Sequence, residues 1–167
     1  LAHVLLVGKD SQPGGGGCGT IAPLSLTTRI RPGDAEEDLV RLNNRYAEHS
    51  SETAYSMQDS AAGVRQAAAG RTPPSVLNKH YSFRFSLPEK NACYTGGSWG
   101  GAVSLLMYCG MVNATFRQEI CSLVCSAAVT GEADMHGTLL PVDEQGLKNK
   151  ITAAFFSPLS RVVVPAA

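Results

Sequence analysis

The sequence is short of charge, and the charge it has cancels. Only 17% of its 167 residues are Asp, Glu, Lys or Arg, with 14 basic side chains against 14 acidic ones. Phosphate-rich partners demand a cationic excess, so neither nucleic acid nor an anionic membrane is expected as a partner. No apolar run approaches the roughly 20 residues that a membrane helix needs. The glycine-rich stretch Gln12 to Gly19 is not followed by Gly-Lys-Ser/Thr, so it is no phosphate-binding loop. No Walker-type motif occurs elsewhere, and no cofactor is expected in this domain. ATP would enter only if a parent protein carried a separate ATPase domain. Leu1 to Gly8 has neither a charged leader nor a cleavage signature, and no Met opens the chain. The sequence therefore reads as an excised domain or a processed product without a signal peptide.

Cysteines are few and odd in number: Cys18, Cys93, Cys109, Cys121 and Cys125. That count fits free thiols in an intracellular, reducing compartment, cytoplasm or organelle matrix. Cys121 and Cys125 stand four apart and would share a helix face, but two ligands make no zinc site. No metal is expected. His3, His49, His80 and His136 are scattered without an obvious Asp partner, which argues against a Ser–His–Asp triad. Asn113-Ala114-Thr115 matches a glycosylation acceptor, a chance match in a reducing compartment.

What remains is ample for a core, since 44% of the residues are apolar. Strands are expected at Ala2–Val7, Ile21–Ile30 and His80–Leu87; the last alternates Tyr81, Phe83, Phe85 and Leu87 with Ser82, Arg84 and Ser86. Further strands are expected at Ile120–Thr130, at Met135–Val142 broken by Gly137, and at Arg161–Val164. Asp34 can cap a following segment whose first turn holds Glu36, Glu37 and Asp38. Helices are expected at Glu52–Ala69, at Trp99–Cys109 with Gly110 as C-cap, and at Leu147–Phe156. Arg71–Pro74 and Pro88–Gly97 read as loops. Helices and strands alternate without a repeat or long linker. The expectation is one α/β domain over residues 1–167, with a mixed sheet and flanking helices.

Three segments carry chemistry. Gly96-Gly97-Ser98-Trp99-Gly100-Gly101 places a serine between a glycine-rich loop and an apolar helix, as either an ordinary N-cap or an exposed nucleophile. The backbone N–H groups there could hold a developing oxyanion. Thr130-Gly131-Glu132, running to Leu140-Pro141-Val142, reads as a hairpin. In Gly146-Leu147-Lys148-Asn149-Lys150-Ile151, Lys150 falls beside the apolar stripe and Lys148 points outward. Lys150 is then either buried or a solvated lysine with a snorkelling stem.

Taken in order, Thr130-Gly131-Glu132, Gly137, Leu140-Pro141-Val142, Gly146-Leu147-Lys148-Asn149-Lys150, Ala153-Ala154 and Val162-Val163-Val164-Pro165 resemble the C-terminal half of the Lon protease proteolytic domain. The resemblance is clear over residues 96–165. It implies a serine endopeptidase with a Ser–Lys dyad: Ser98 as nucleophile, Lys150 as base and Thr130 orienting the lysine. The Trp99 backbone N–H, with that of Ser98, becomes the oxyanion donor. The substrates implied are proteins or peptides, and the assembly implied is a homo-oligomeric ring, a hexamer. A viral polyprotein-processing protease with the same dyad is an alternative. A non-catalytic assembly or peptide-binding module is another. Gly97 and Trp99 replace the proline and alanine of the family's Gly-Pro-Ser-Ala-Gly, and a tryptophan beside the nucleophile could narrow the cleft or shield the dyad.

Overall fold

The computed structural model describes residues 2–8, 18–43, 51–88, 97–124 and 126–166. Most of the glycine-rich turn expected over Gln12–Gly19 lies outside these, and its last two residues, Cys18 and Gly19, instead open a strand. Most of the loop after Pro88 lies outside them too, as do Cys93, Cys125 and His49. Among the described residues the architecture is α/β around a mixed six-stranded sheet. Its strands are β1 (Ala2–Gly8), β2 (Cys18–Ile30), β3 (Leu39–Leu42), β4 (Tyr81–Ser86), β5 (Ala127–Val129) and β8 (Arg161–Val163), in the spatial order β3-β4-β2-β1-β5-β8. The long strand β2 is the spine. Its first half pairs antiparallel with β1 and its second half antiparallel with β4. β3 runs parallel to β4, β5 parallel to β1, and β8 parallel to β5. A small antiparallel hairpin of β6 (Glu132–Ala133) and β7 (Leu139–Leu140) stands apart.

Strand alternation decides which helix covers which face. On β4, Tyr81, Phe83 and Phe85 are fully buried while Arg84 is exposed. They join Leu24, Val129, Trp99, Val103, Met107 and Met111 in the main core. That core lies beneath α1 (Ser51–Ala68), the single turn α2 (Pro74–Leu77) and the central helix α3 (Gly100–Phe116). Each large buried side chain contributes about 2 kcal/mol of transfer free energy. Residues one position along the strands face the other way. Ala128 and Ile21 pack with Ala154 of α4 (Glu144–Phe155) in a second, smaller cluster. The sheet is thus sandwiched, with α3 on one face and α4 on the other.

Several local expectations fail for physical reasons. No helix follows Asp34. Residues 31–38 form turns leading into β3, and Asp38 is taken by Arg65 of α1 in a two-pronged ion pair of 2.7 Å contacts. Arg65 also donates to the carbonyls of Leu77 and Lys79, and Asp38 accepts from the Tyr81 N–H. This cluster ties α1, the α2–β4 turn and the approach to β3 together. Helix α3 does not stop at Gly110 but runs on to Phe116. Gly110 serves close approach instead, since a Cβ there would lie 2.2 Å from Thr28 Oγ1 on β2. The helix ends at Arg117, in the left-handed region at φ 54°.

The strand expected from Ile120 shrinks to Ala127–Val129. The chain before it is irregular, held by the Asn113 side chain, and Cys121 therefore lies on no helix. Of Met135–Val142 only Leu139–Leu140 is strand. Asp134 accepts from the N–H groups of His136 and Thr138 and makes the rest a turn. Among the described residues, no helix is long and apolar enough to cross a membrane.

Candidate active site

Helix α4 delivers Lys150. Asp143 is its N-cap and accepts from the Gly146 N–H at 2.6 Å. Lys148 turns outward and pairs with Glu144, one helical turn back, at 2.8 Å. Lys150, two positions on, turns inward against the sheet and is only 3% exposed. Its amine donates to the hydroxyl of Thr130, 3.0 Å away and fully buried. No carboxylate among the described residues lies within ion-pairing distance of it. Burial penalises the ammonium and pushes its pKa below the ordinary lysine value; the negative charge of Asp143 opposes this in part. A buried lysine that leans on a neutral hydroxyl is biased toward the free amine, which is what a general base requires.

Thr130 is placed by its backbone. It follows directly on β5, and its N–H donates to the Val163 carbonyl at 3.0 Å. The next residue joins the serine segment. The Gly131 N–H donates to the Ser98 carbonyl at 3.1 Å, and the Gly131 carbonyl accepts from the Gly101 N–H at 2.8 Å. Gly131 has φ 134°, and a Cβ there would press 2.7 Å from Pro165 Cγ, so no other residue fits comfortably.

Ser98 lies in a turn closed by the Gly100 N–H on the Gly97 carbonyl, 3.0 Å. The N-cap position of α3 belongs to Trp99, so Ser98 stands one residue ahead of the cap. Ser98 is partly exposed, while the Trp99 ring is fully buried in the main core. The ring thus packs inward rather than at the surface beside Ser98, while Gly97 and Gly100 lie close against Glu132 and Ala133, where an added Cβ would stand 2.5 Å and 2.2 Å from them. Two further residues hold the loop and escape sequence reasoning. Ser56 on α1 donates to the Gly97 carbonyl at 3.1 Å, and Ser60 donates to the Ser56 carbonyl at 2.7 Å. Their signal was faint: two buried serines four apart on an alanine-rich helix.

The structure therefore joins Lys150 to Thr130 by side chains, and Ser98 to Gly131 by backbone. Among the described residues, no hydrogen bond links the Ser98 hydroxyl directly to the Lys150 amine. Beside these contacts, between α1, α3 and the β6–β7 hairpin, opens an apolar cavity of about 480 Å³ bordered by Gly101, Leu105, Val129, Ala133, Leu139 and Val163. Of the histidines whose side chains are described, neither His80 nor His136 is part of the arrangement. His136 is exposed, and His80 sits 3.9 Å from an Asp38 carboxylate that Arg65 already occupies. No group of three or more metal-ligating side chains occurs among the described residues. A scan of protein-family models finds no match to the chain, and a search of curated proteins finds none either.

Proposed function

We propose that this chain is a Lon-like serine peptidase domain that hydrolyses peptide bonds with a Ser98–Lys150 dyad. The observation that carries the reading is Lys150: a buried amine, unpaired with any described carboxylate, held by the Thr130 hydroxyl one residue from the glycine that binds Ser98. Burying a lysine costs stability unless its charge is paired or given up, so its retention asks for a use.

In the proposed reaction, Ser98 Oγ attacks the scissile carbonyl while the neutral Lys150 amine takes its proton. The proposal requires the serine hydroxyl to reach the amine once substrate is bound, as resting sites commonly tighten only then. The N–H groups of Ser98 and Trp99, at the start of α3, stabilise the oxyanion. Lys150 then returns the proton to the leaving amine, and water, activated by the same lysine, releases the acyl group. Thr130 orients the amine without adding charge. The apolar cavity beside Gly101 and Val129 offers a place for substrate side chains. The burial of the Trp99 ring favours this reading over a non-catalytic module. The odd cysteine count supports an intracellular, reducing compartment. By resemblance, the substrates are proteins or peptides and the assembly is a homo-oligomeric ring.

Hydrolysis of an unstructured protein substrate tests the reading. Ser98→Ala and Lys150→Ala should each abolish turnover while circular dichroism stays that of the parent chain. Full activity in either folded variant would end the dyad assignment.

A further inference from the structure

Away from the dyad, the turn after α3 brings two thiols together. Cys109 Sγ and Cys121 Sγ lie 2.8 Å apart across twelve positions of chain. Cys109 is buried on α3, and Cys121 is partly exposed on the segment that runs back toward β5. The approach is built, because one side chain fixes the returning segment. Asn113, one helical turn beyond Cys109, donates through Nδ2 to the Cys121 carbonyl at 2.7 Å. Its Oδ1 accepts from the N–H groups of Ile120 at 2.8 Å and Cys121 at 2.9 Å. Arg117, in its left-handed conformation, supplies the reversal that makes this return possible.

We propose that Cys109 and Cys121 are a redox modification site, closing to a reversible disulfide that staples the segment before β5 onto α3. The proposal does not depend on the peptidase reading. A disulfide needs sulfurs about 2 Å apart, so closure asks for less than about 1 Å of further approach. The two thiols are unequal. Burial, together with the neighbouring Cys121, pushes the Cys109 thiol up to about 12, so it stays protonated near neutrality. Cys121, the more accessible sulfur, is the one that meets a small oxidant.

With a peroxide as oxidant, one peroxide oxygen passes to the Cys121 thiol, giving a sulfenic acid and one water. The Cys109 sulfur then attacks the Cys121 sulfur. The new S–S bond forms as the S–O bond breaks, and the departing hydroxyl leaves with the Cys109 proton as a second water. Two thiols lose two electrons and the peroxide gains them. A small dithiol reverses the step by exchange.

The test uses the full chain carrying Cys18→Ser, Cys93→Ser and Cys125→Ser, so that the proposed pair holds the remaining thiols. Dilute hydrogen peroxide should remove both titratable thiols, lower the intact mass by two hydrogens, and leave the protein monomer-sized on a non-reducing gel. Trypsin, which cuts after Arg117, should then release the two cysteine peptides still joined, and dithiothreitol should part them. Asn113→Ala should slow closure several-fold. Should the serine background fold poorly, fragment-ion mapping of the cross-link in the unaltered chain reads the same pairing. Two thiols that persist under peroxide would overturn the proposal. So would sulfinic acid, or links to other cysteines or other molecules, in place of the joined pair.

Discussion

Gly100→Ala probes the close approach of α3 to the β6–β7 hairpin, beside the hydrogen bond from the Gly131 N–H to the Ser98 carbonyl. In an open helix this change would stabilise by up to about 1 kcal/mol, because alanine loses less backbone entropy. Here the added Cβ would lie 2.2 Å from the Ala133 N and 3.0 Å from the Ala133 Cβ. Ordinary contact needs the hairpin to withdraw by about 1 Å, against close-packed surroundings. Overpacking of this kind costs about 1–3 kcal/mol. Withdrawal also loosens the Gly131 N–H on the Ser98 carbonyl and the Gly101 N–H on the Gly131 carbonyl, each worth about 1 kcal/mol. The helix-propensity gain is smaller than these terms, so the net change should be a loss of about 2 kcal/mol. Urea denaturation reads it directly. Gly33→Ala is the control, with nothing within 4 Å of its Cβ and no positive φ, and should change stability by less than about 1 kcal/mol. If Gly100→Ala proves as stable as the parent or more so, the close approach of α3 to the hairpin is wrong.

Other expectations follow from particular contacts. Arg65→Ala strands the largely buried Asp38 carboxylate and should cost about 3 kcal/mol by thermal or urea unfolding, with Arg65→Lys restoring only part because the fork is lost. Thr130→Val keeps the packing volume but removes the lysine's hydrogen-bond partner. Peptide turnover should fall at least about tenfold while stability moves by about 1 kcal/mol, and unchanged turnover would deny Thr130 its orienting role. Lys150→Met should abolish turnover yet leave the protein at least as stable near neutral pH. The folded chain holds the lysine proton less tightly than the unfolded one, so parental stability should climb with pH between the lowered folded value and the ordinary 10.5. That climb should be missing in Lys150→Met, which pH-dependent urea unfolding will show.

How much of this was legible in the chain varies by element. β4 and α1 announce themselves by strict alternation and by an alanine-rich run, both local signals. β3 did not: four residues after an acidic turn resemble a helix start, and only pairing with β4 makes them a strand. Gly110 looked like a stop signal because nothing local shows that Thr28, 82 positions earlier, needs the room. The inward turn of Lys150 could be read from its place beside the apolar stripe of α4. Its partner Thr130 came only through the family resemblance. Ser56 beneath Gly97 and Cys121 beside Cys109 are contacts of the folded chain, made across 41 and 12 positions, with no pattern to reveal them.

The central claim is that Lys150, its proton loosened by burial, activates Ser98. The rate at which a serine-reactive peptide probe acylates the protein, followed against pH with the modified residue mapped, tests it most directly. The account predicts a single adduct on Ser98 and a rate that rises with pH as Lys150 gives up its proton, below the ordinary 10.5. It further predicts that this pH-dependent labelling disappears in the folded Lys150→Met variant. Labelling at another residue, a rate flat between about pH 6 and 9, or equal labelling in Lys150→Met would contradict it.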